Sequence, residues 1–166
     1  AVGIMIYQMP PGHACGPSET LPMLHYYGEQ DDGVPPNGLP SPYGWVYTPA
    51  AENTRVWAET MGCNGPAVPW QTALTQEHDL QCEAYTDCQG EGVAVVSCGD
   101  PMADHEWAAQ RIDTIPADCV ALAQQQDLPR QPVCPPISPV EERWGMELVW
   151  QFFSQHSRSP AMASIR

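Results

Sequence analysis

Two residues stand where acid–base chemistry would need them. Asp31 follows the short apolar run Leu21-Pro-Met-Leu-His-Tyr-Tyr-Gly28, and His105 follows a second run that begins Val93-Ala-Val-Val-Ser-Cys-Gly-Asp100. A carboxylate that accepts from one ring nitrogen of an imidazole holds its tautomer and leaves the other nitrogen able to take a proton, which is how a hydroxyl nucleophile is activated. The competing reading of Asp31 is local: an Asp in Glu-Gln-Asp-Asp-Gly hydrogen-bonds its own turn. Asp32 and Asp104 are the neighbours most easily confused with the acid. His13, His25, His78 and His156 fall in a loop, a strand, a polar run and a helix end, and are assigned to structure. The scatter of His and Cys offers no cluster with zinc-ligand spacing, so neither a metal nor a cofactor is expected.

Positioning such a pair takes two strand ends at one edge of a sheet. Apolar runs of four to eight residues bounded by turn formers suit strands covered on both faces, and Gly28 is expected to let the backbone turn sharply where a side chain would clash. In open α/β sheets the carboxyl edge of the strands is where ligands bind. Acid first and histidine later is also the order in which α/β-hydrolases supply the last two members of their triad.

The motifs extend this. Gly28, Asp31, Val34 and Pro35 form Gly-x-x-Asp-x-x-Val-Pro; Trp57 precedes Gly62-Cys63; His105 and Trp107 form His-x-Trp; and Leu148 to Arg158 reads as a closing aromatic helix. In these motifs and their order the chain resembles the C-terminal half of the secreted esterase family that includes polyhydroxybutyrate depolymerases, feruloyl esterases and acetylxylan esterases. The resemblance implies Asp31 as triad acid, His105 as general base, and hydrolysis of a plant-polymer ester (feruloyl or acetyl) or a polyhydroxyalkanoate. Met102, Ala103 and Asp104 stand where that family usually has glycines. Its serine sits in an upstream Gly-x-Ser-x-Gly elbow, and these residues contain no such elbow. Ser97 and Ser41 do not sit on glycine-flanked strand-to-helix turns, so the serine is expected on a separate or preceding N-terminal part. The alternatives are a short enzyme with another nucleophile and a noncatalytic binding or structural module that keeps the half-fold.

With 166 residues the chain can bury one ordinary core, and a partial hydrolase domain is expected over residues 1–158 with a tail at 159–166. Six Lys plus Arg against 20 Asp plus Glu give a net charge of −14, which disfavours nucleic acid and anionic membranes as partners. No apolar run is long enough to span a bilayer. Seven cysteines with no CxxC pair point to disulfides and an extracellular setting. Cys119 and Cys134 are paired by expectation across an insertion at about 108–139, Cys15 is left over, and Cys63, Cys82, Cys88 and Cys98 leave three connectivities open.

In chain order, Ala1–Tyr7 reads as a strand whose bare edge would pair with the companion fragment or with a second copy. The proline-rich stretch 35–49 reads as a surface loop whose Tyr43, Trp45 and Tyr47, with Trp107, offer an aromatic platform for substrate or simply staple the loop down. Thr48-Pro49 is expected to start a helix with Thr48 as N-cap, and Gly62 to end it. Leu80–Tyr85 and Gly92–Val96 read as antiparallel strands on a tight connection. Ser138-Pro-Val-Glu141 is a capping box for a last helix whose apolar face is Val140, Trp144, Leu148, Val149 and Phe152. The expected fold class is α/β: the C-terminal portion of an α/β-hydrolase sheet with flanking helices and a disulfide-closed insertion.

Overall fold

The computed structural model describes residues 2–5, 8, 16–105 and 144–156. In chain order these form β1 (Val2–Met5), β2 (Met23–Gly28), α1 (Ala50–Thr60), β3 (Val68–Pro69), α2 (Ala73–Glu77), β4 (Gln81–Tyr85), β5 (Val95–Asp100) and α3 (Trp144–Gln155). The strands make one mixed sheet in the order β1-β2-β5-β4-β3. β1, β2 and β5 run parallel, and β4 and β3 are added antiparallel.

β5 is buried along its whole length, and β2 nearly so. Their alternate residues therefore feed two cores. On one face Leu24, Tyr26, Val96, Cys98 and Ala84 pack with Leu74, Leu80, Leu148 and Phe152 beneath α2 and α3. On the other, Met23 and Val95 pack with Val93, Ala58 and Met61 beneath α1. The result is an α/β arrangement with helices on both faces of the central strands.

α1 begins one residue later than the Thr48 reading required. Pro49 is the N-cap, with no side-chain cap bond. The first helical N–H, that of Ala50, instead donates to the carbonyl of Pro36 at 2.8 Å, so the proline-rich loop itself satisfies the helix end. At the other end Gly62 has φ 64°, Cys63 N–H donates to Ala58 O and Gly62 N–H to Glu59 O. Those two bonds with a left-handed glycine make a Schellman stop, as the sequence suggested.

The connection between β4 and β5 is not tight. It spans residues 86–94, and β5 starts at Val95 and runs on to Asp100. Gly90 and Gly92 have φ of 105° and 70°, which takes this stretch out of extended geometry. Gly99 and Asp100 are weak strand formers, and pairing with Tyr27 and Gly28 on β2 keeps this end of the strand extended. The longer loop carries Cys88 to Cys63 just past α1, and Gln89 N–H donates to Met61 O.

The second disulfide joins Cys82 to Cys98, directly opposed on β4 and β5. One of the three open connectivities is thereby selected: 63–88 with 82–98. Two disulfides suit an oxidising compartment. Cys15, Cys119, Cys134, Trp107, the 108–139 insertion, the Ser138–Glu141 capping box, Val140 and the 159–166 tail lie outside the described residues. No described helix is long and apolar enough to cross a membrane. α2 was not foreseen; its signal is Thr72 with Thr75, whose side chains and backbone N–H groups cap each other reciprocally.

Candidate functional site

β2 and β5 are parallel neighbours, and Gly28 and Asp100, their last residues, are paired across the ladder. Both strands therefore release their chains at the same sheet edge. Immediately beyond, the two loops are laced together by backbone bonds: Glu29 N–H to Asp100 O at 2.9 Å and Gln30 N–H to Ala103 O at 3.0 Å. The Gln30 side chain adds a bond to Pro101 O at 2.8 Å.

The chain turns directly after Gly28, at residues 29–30, and the clash expected of a side chain there is present, although Gly28 itself is not left-handed. Its role is close approach. A Cβ at this position would lie 2.4 Å from the carbonyl oxygens of both Ala103 and Asp104, so only glycine lets the histidine loop cross over the end of β2. Gly33 also lies close to the pair: a Cβ there would stand 3.3 Å from Asp31 Oδ1 and from the His105 ring, tight but not a clash.

Within this frame His105 Nδ1 lies 2.8 Å from Asp31 Oδ2. The other Asp31 oxygen, Oδ1, accepts the Val34 N–H at 2.7 Å. Both readings of Asp31 are thus realised in one side chain: one oxygen caps the local turn and the other takes the imidazole. The Asp31 side chain is 2% exposed and that of His105 53%. A buried carboxylate accepting from Nδ1–H leaves Nε2 as the basic nitrogen on the half of the ring that solvent reaches. That is an oriented base, able to accept a proton from a hydroxyl and to return it.

The confusable neighbours fall elsewhere. Asp32 is exposed, and Asp104 is exposed with Oδ1 accepting the His105 N–H at 2.7 Å. Carboxylate oxygens of Asp31, Asp32 and Asp104 lie within 4.8 Å of one another, the one such metal-spaced group among the described residues. Of the three, only Asp31 is buried, and its oxygens accept from Val34 N–H and face His105 Nδ1.

Three of the remaining histidines have structural settings. His25 is buried with Nδ1 3.3 Å from Thr54 Oγ1, which in turn lies 3.1 Å from Ser97 Oγ. His78 stacks on Trp144 at 4.4 Å. His156 donates from Nδ1 to Gly92 O at 3.1 Å, and burial holds its pKa below the usual histidine value. His13 is outside the described residues.

The proline-rich loop borders the acid. A cavity of about 420 Å³ runs from Glu29 and Asp31 to Pro42, walled by Pro35, Pro36 and Pro40. Tyr43 and Trp45 stand exposed on this loop at 78% and 64%, while Tyr47 is half-buried; no ring contact joins the three among the described residues. Ser41 is buried, and its Oγ accepts from the Tyr43 and Trp45 N–H groups, a turn-holding position. A second cavity of about 350 Å³ lies on the α1 face beside Tyr27, Glu83 and Ser97. Burial, then Glu29 and Glu83, push the Tyr27 phenol up to about 12.

Sequence reasoning missed Gly33, the Val34 N–H, and Asp100 with its partner Tyr26. Asp-Asp-Gly and Gly-Asp-Pro are turn signals and mark where two of them sit, but nothing local says that each turn touches the other loop. No protein-family model, curated protein or solved structure matches the chain.

Proposed function

We propose that this chain supplies the acid and the base of a Ser-His-Asp carboxylic ester hydrolase, with the serine contributed by polypeptide outside these residues. The observation that carries the reading is the 2.8 Å contact between His105 Nδ1 and the buried Asp31 carboxylate, at adjacent ends of parallel strands. In this mechanism His105 Nε2 takes the serine proton as the oxygen attacks the ester carbonyl. The imidazolium, stabilised by Asp31, then protonates the departing alcohol. Water repeats the cycle on the acyl-serine, giving the acid product and restoring the serine.

The motifs shared with secreted polymer esterases support esters of plant polymers or polyhydroxyalkanoates as substrates. Exposed Tyr43 and Trp45 beside the Asp31 cavity suit a weakly charged polymer surface. Two disulfides support secretion. β1 lies at the edge of the sheet, so the companion segment, or a second copy of the chain, is proposed to add its strand there.

Expression of the reading frame with its upstream segment, assayed on p-nitrophenyl acetate, tests the reading. Hydrolysis that disappears in His105→Ala is the expected result. Hydrolysis unchanged in that variant overturns it.

A further inference from the structure

Asp100 is a buried carboxylate, 2% exposed, that the proton relay does not use. It is the last residue of β5 and the first step of the loop that ends at His105. One of its oxygens, Oδ2, accepts the Tyr26 hydroxyl at 2.8 Å, and the other, Oδ1, accepts the Met102 N–H at 2.9 Å. Its own carbonyl accepts from Glu29 N–H, and from Ala103 N–H at 3.3 Å. Asp100 therefore joins three things: the body of β2 through Tyr26, the first turn of the histidine loop through Met102, and the acid's own turn through Glu29.

Tyr26 is in turn held rigidly. It is 1% exposed, sits in the core beneath α3, and meets Trp144 edge-on at 6.1 Å. Burying a carboxylate is unfavourable unless its oxygens are satisfied, and here both are, one by the Tyr26 hydroxyl and the other by the Met102 N–H. The loop after β5, held at Asp100 by these bonds, runs so that the Ala103 and Asp104 carbonyls cross over Gly28 and the imidazole meets Asp31.

We infer that Asp100, anchored by Tyr26, is the positioning residue that sets the His105 loop against Asp31. This rests on the proposed role of the pair, but its consequence is a hydrogen bond that can be observed without any ester. Asp100→Ala removes both carboxylate bonds, the one to the turn through Met102 N–H and the one to β2 through Tyr26. Tyr26→Phe removes the anchor and leaves Oδ2 buried without a donor. Asp100→Asn keeps both contacts, because the amide oxygen accepts from Met102 N–H and the amide nitrogen donates to the Tyr26 oxygen.

The readout is solvent exchange of the His105 Nδ1–H proton, followed by NMR on the whole chain labelled at histidine nitrogen. Asp31→Asn serves as the reference for a weakened bond. Tyr26→Phe and Asp100→Ala are expected to speed exchange by about tenfold or more, the scale of losing a hydrogen bond to a charged group, with Asp100→Asn close to wild type. Wild-type exchange in both Tyr26→Phe and Asp100→Ala overturns the inference, and so does an Asp100→Asn variant as fast as Asp100→Ala. If Asp100→Ala does not fold, Tyr26→Phe decides alone. If the exchange pattern holds while the complemented protein hydrolyses no ester, the esterase reading fails and the positioning role stands.

Discussion

Replacing Gly28 by alanine tests the crossing of the two loops with a single methyl group. The added Cβ would meet the Ala103 and Asp104 carbonyl oxygens at 2.4 Å and the Ala103 carbonyl carbon at 2.8 Å. All three atoms are backbone, so no side chain can swing aside, and the loop must lift by about 1 Å to reach ordinary van der Waals separation. Forcing a methyl into a filled site costs about 1–3 kcal/mol, and lifting Ala103 away from the Gln30 N–H adds about 1 kcal/mol for the lost bond. For a chain of this size the melting temperature should fall by roughly 5 to 15 °C. Gly16, where a Cβ meets nothing within 4 Å, is the control. Differential scanning calorimetry gives the stability, and the His105 Nδ1–H resonance reports whether the imidazole still reaches Asp31. A Gly28→Ala protein as stable as Gly16→Ala, with an unchanged resonance, would refute the argument that glycine is needed for close approach.

Three further outcomes are expected. Cys82→Ser with Cys98→Ser opens a link of sequence separation 16 and should lower stability by about 3 kcal/mol in denaturant titrations, with non-reducing peptide mapping of the parent showing 82–98 and 63–88. Finding 63–82 or 63–98 would contradict the strand register. The His156 pKa is depressed, so the unfolded chain binds its proton more readily; the stability it contributes is complete above pH 6.5 and is lost as pH falls through the folded value, a loss that His156→Phe should abolish in melting curves between pH 5 and 7. The Tyr27 pKa is raised, so its contribution is complete below pH 10.0 and is lost as pH rises through about 12; in ultraviolet titration Tyr27→Phe should remove one phenol's worth of the late absorbance change.

The elements that could be read in the chain are those whose signal is local. β2 announced itself as an apolar run ending in glycine, α1 by its glycine stop, and α3 by Leu148 and Phe152 four residues apart on one buried face. The acid and the histidine were visible because each follows a strand. What could not be read depends on partners distant in the chain. Thr48 looked like a cap, yet the Ala50 N–H goes to Pro36, a contact made only once the proline loop folds back. Gly99 and Asp100 are disfavoured in strands and are held extended by pairing with β2. Gly28 was legible as a place where a side chain would clash, but not that the clash is with the backbone of residues 103 and 104. Asp100 was one more turn acid until Tyr26, 74 residues earlier, proved to hold it.

The central claim is that His105, held by Asp31, is the base that activates a serine. A fluorophosphonate bonds covalently to a serine only when a neighbouring base activates it. Labelling the protein expressed with its upstream segment, followed by peptide mass mapping, therefore tests the claim directly. One labelled serine is expected, located outside residues 1–166, with labelling lost in His105→Ala and strongly slowed in Asp31→Asn. A serine labelled at the same rate in His105→Ala as in the parent protein would contradict it.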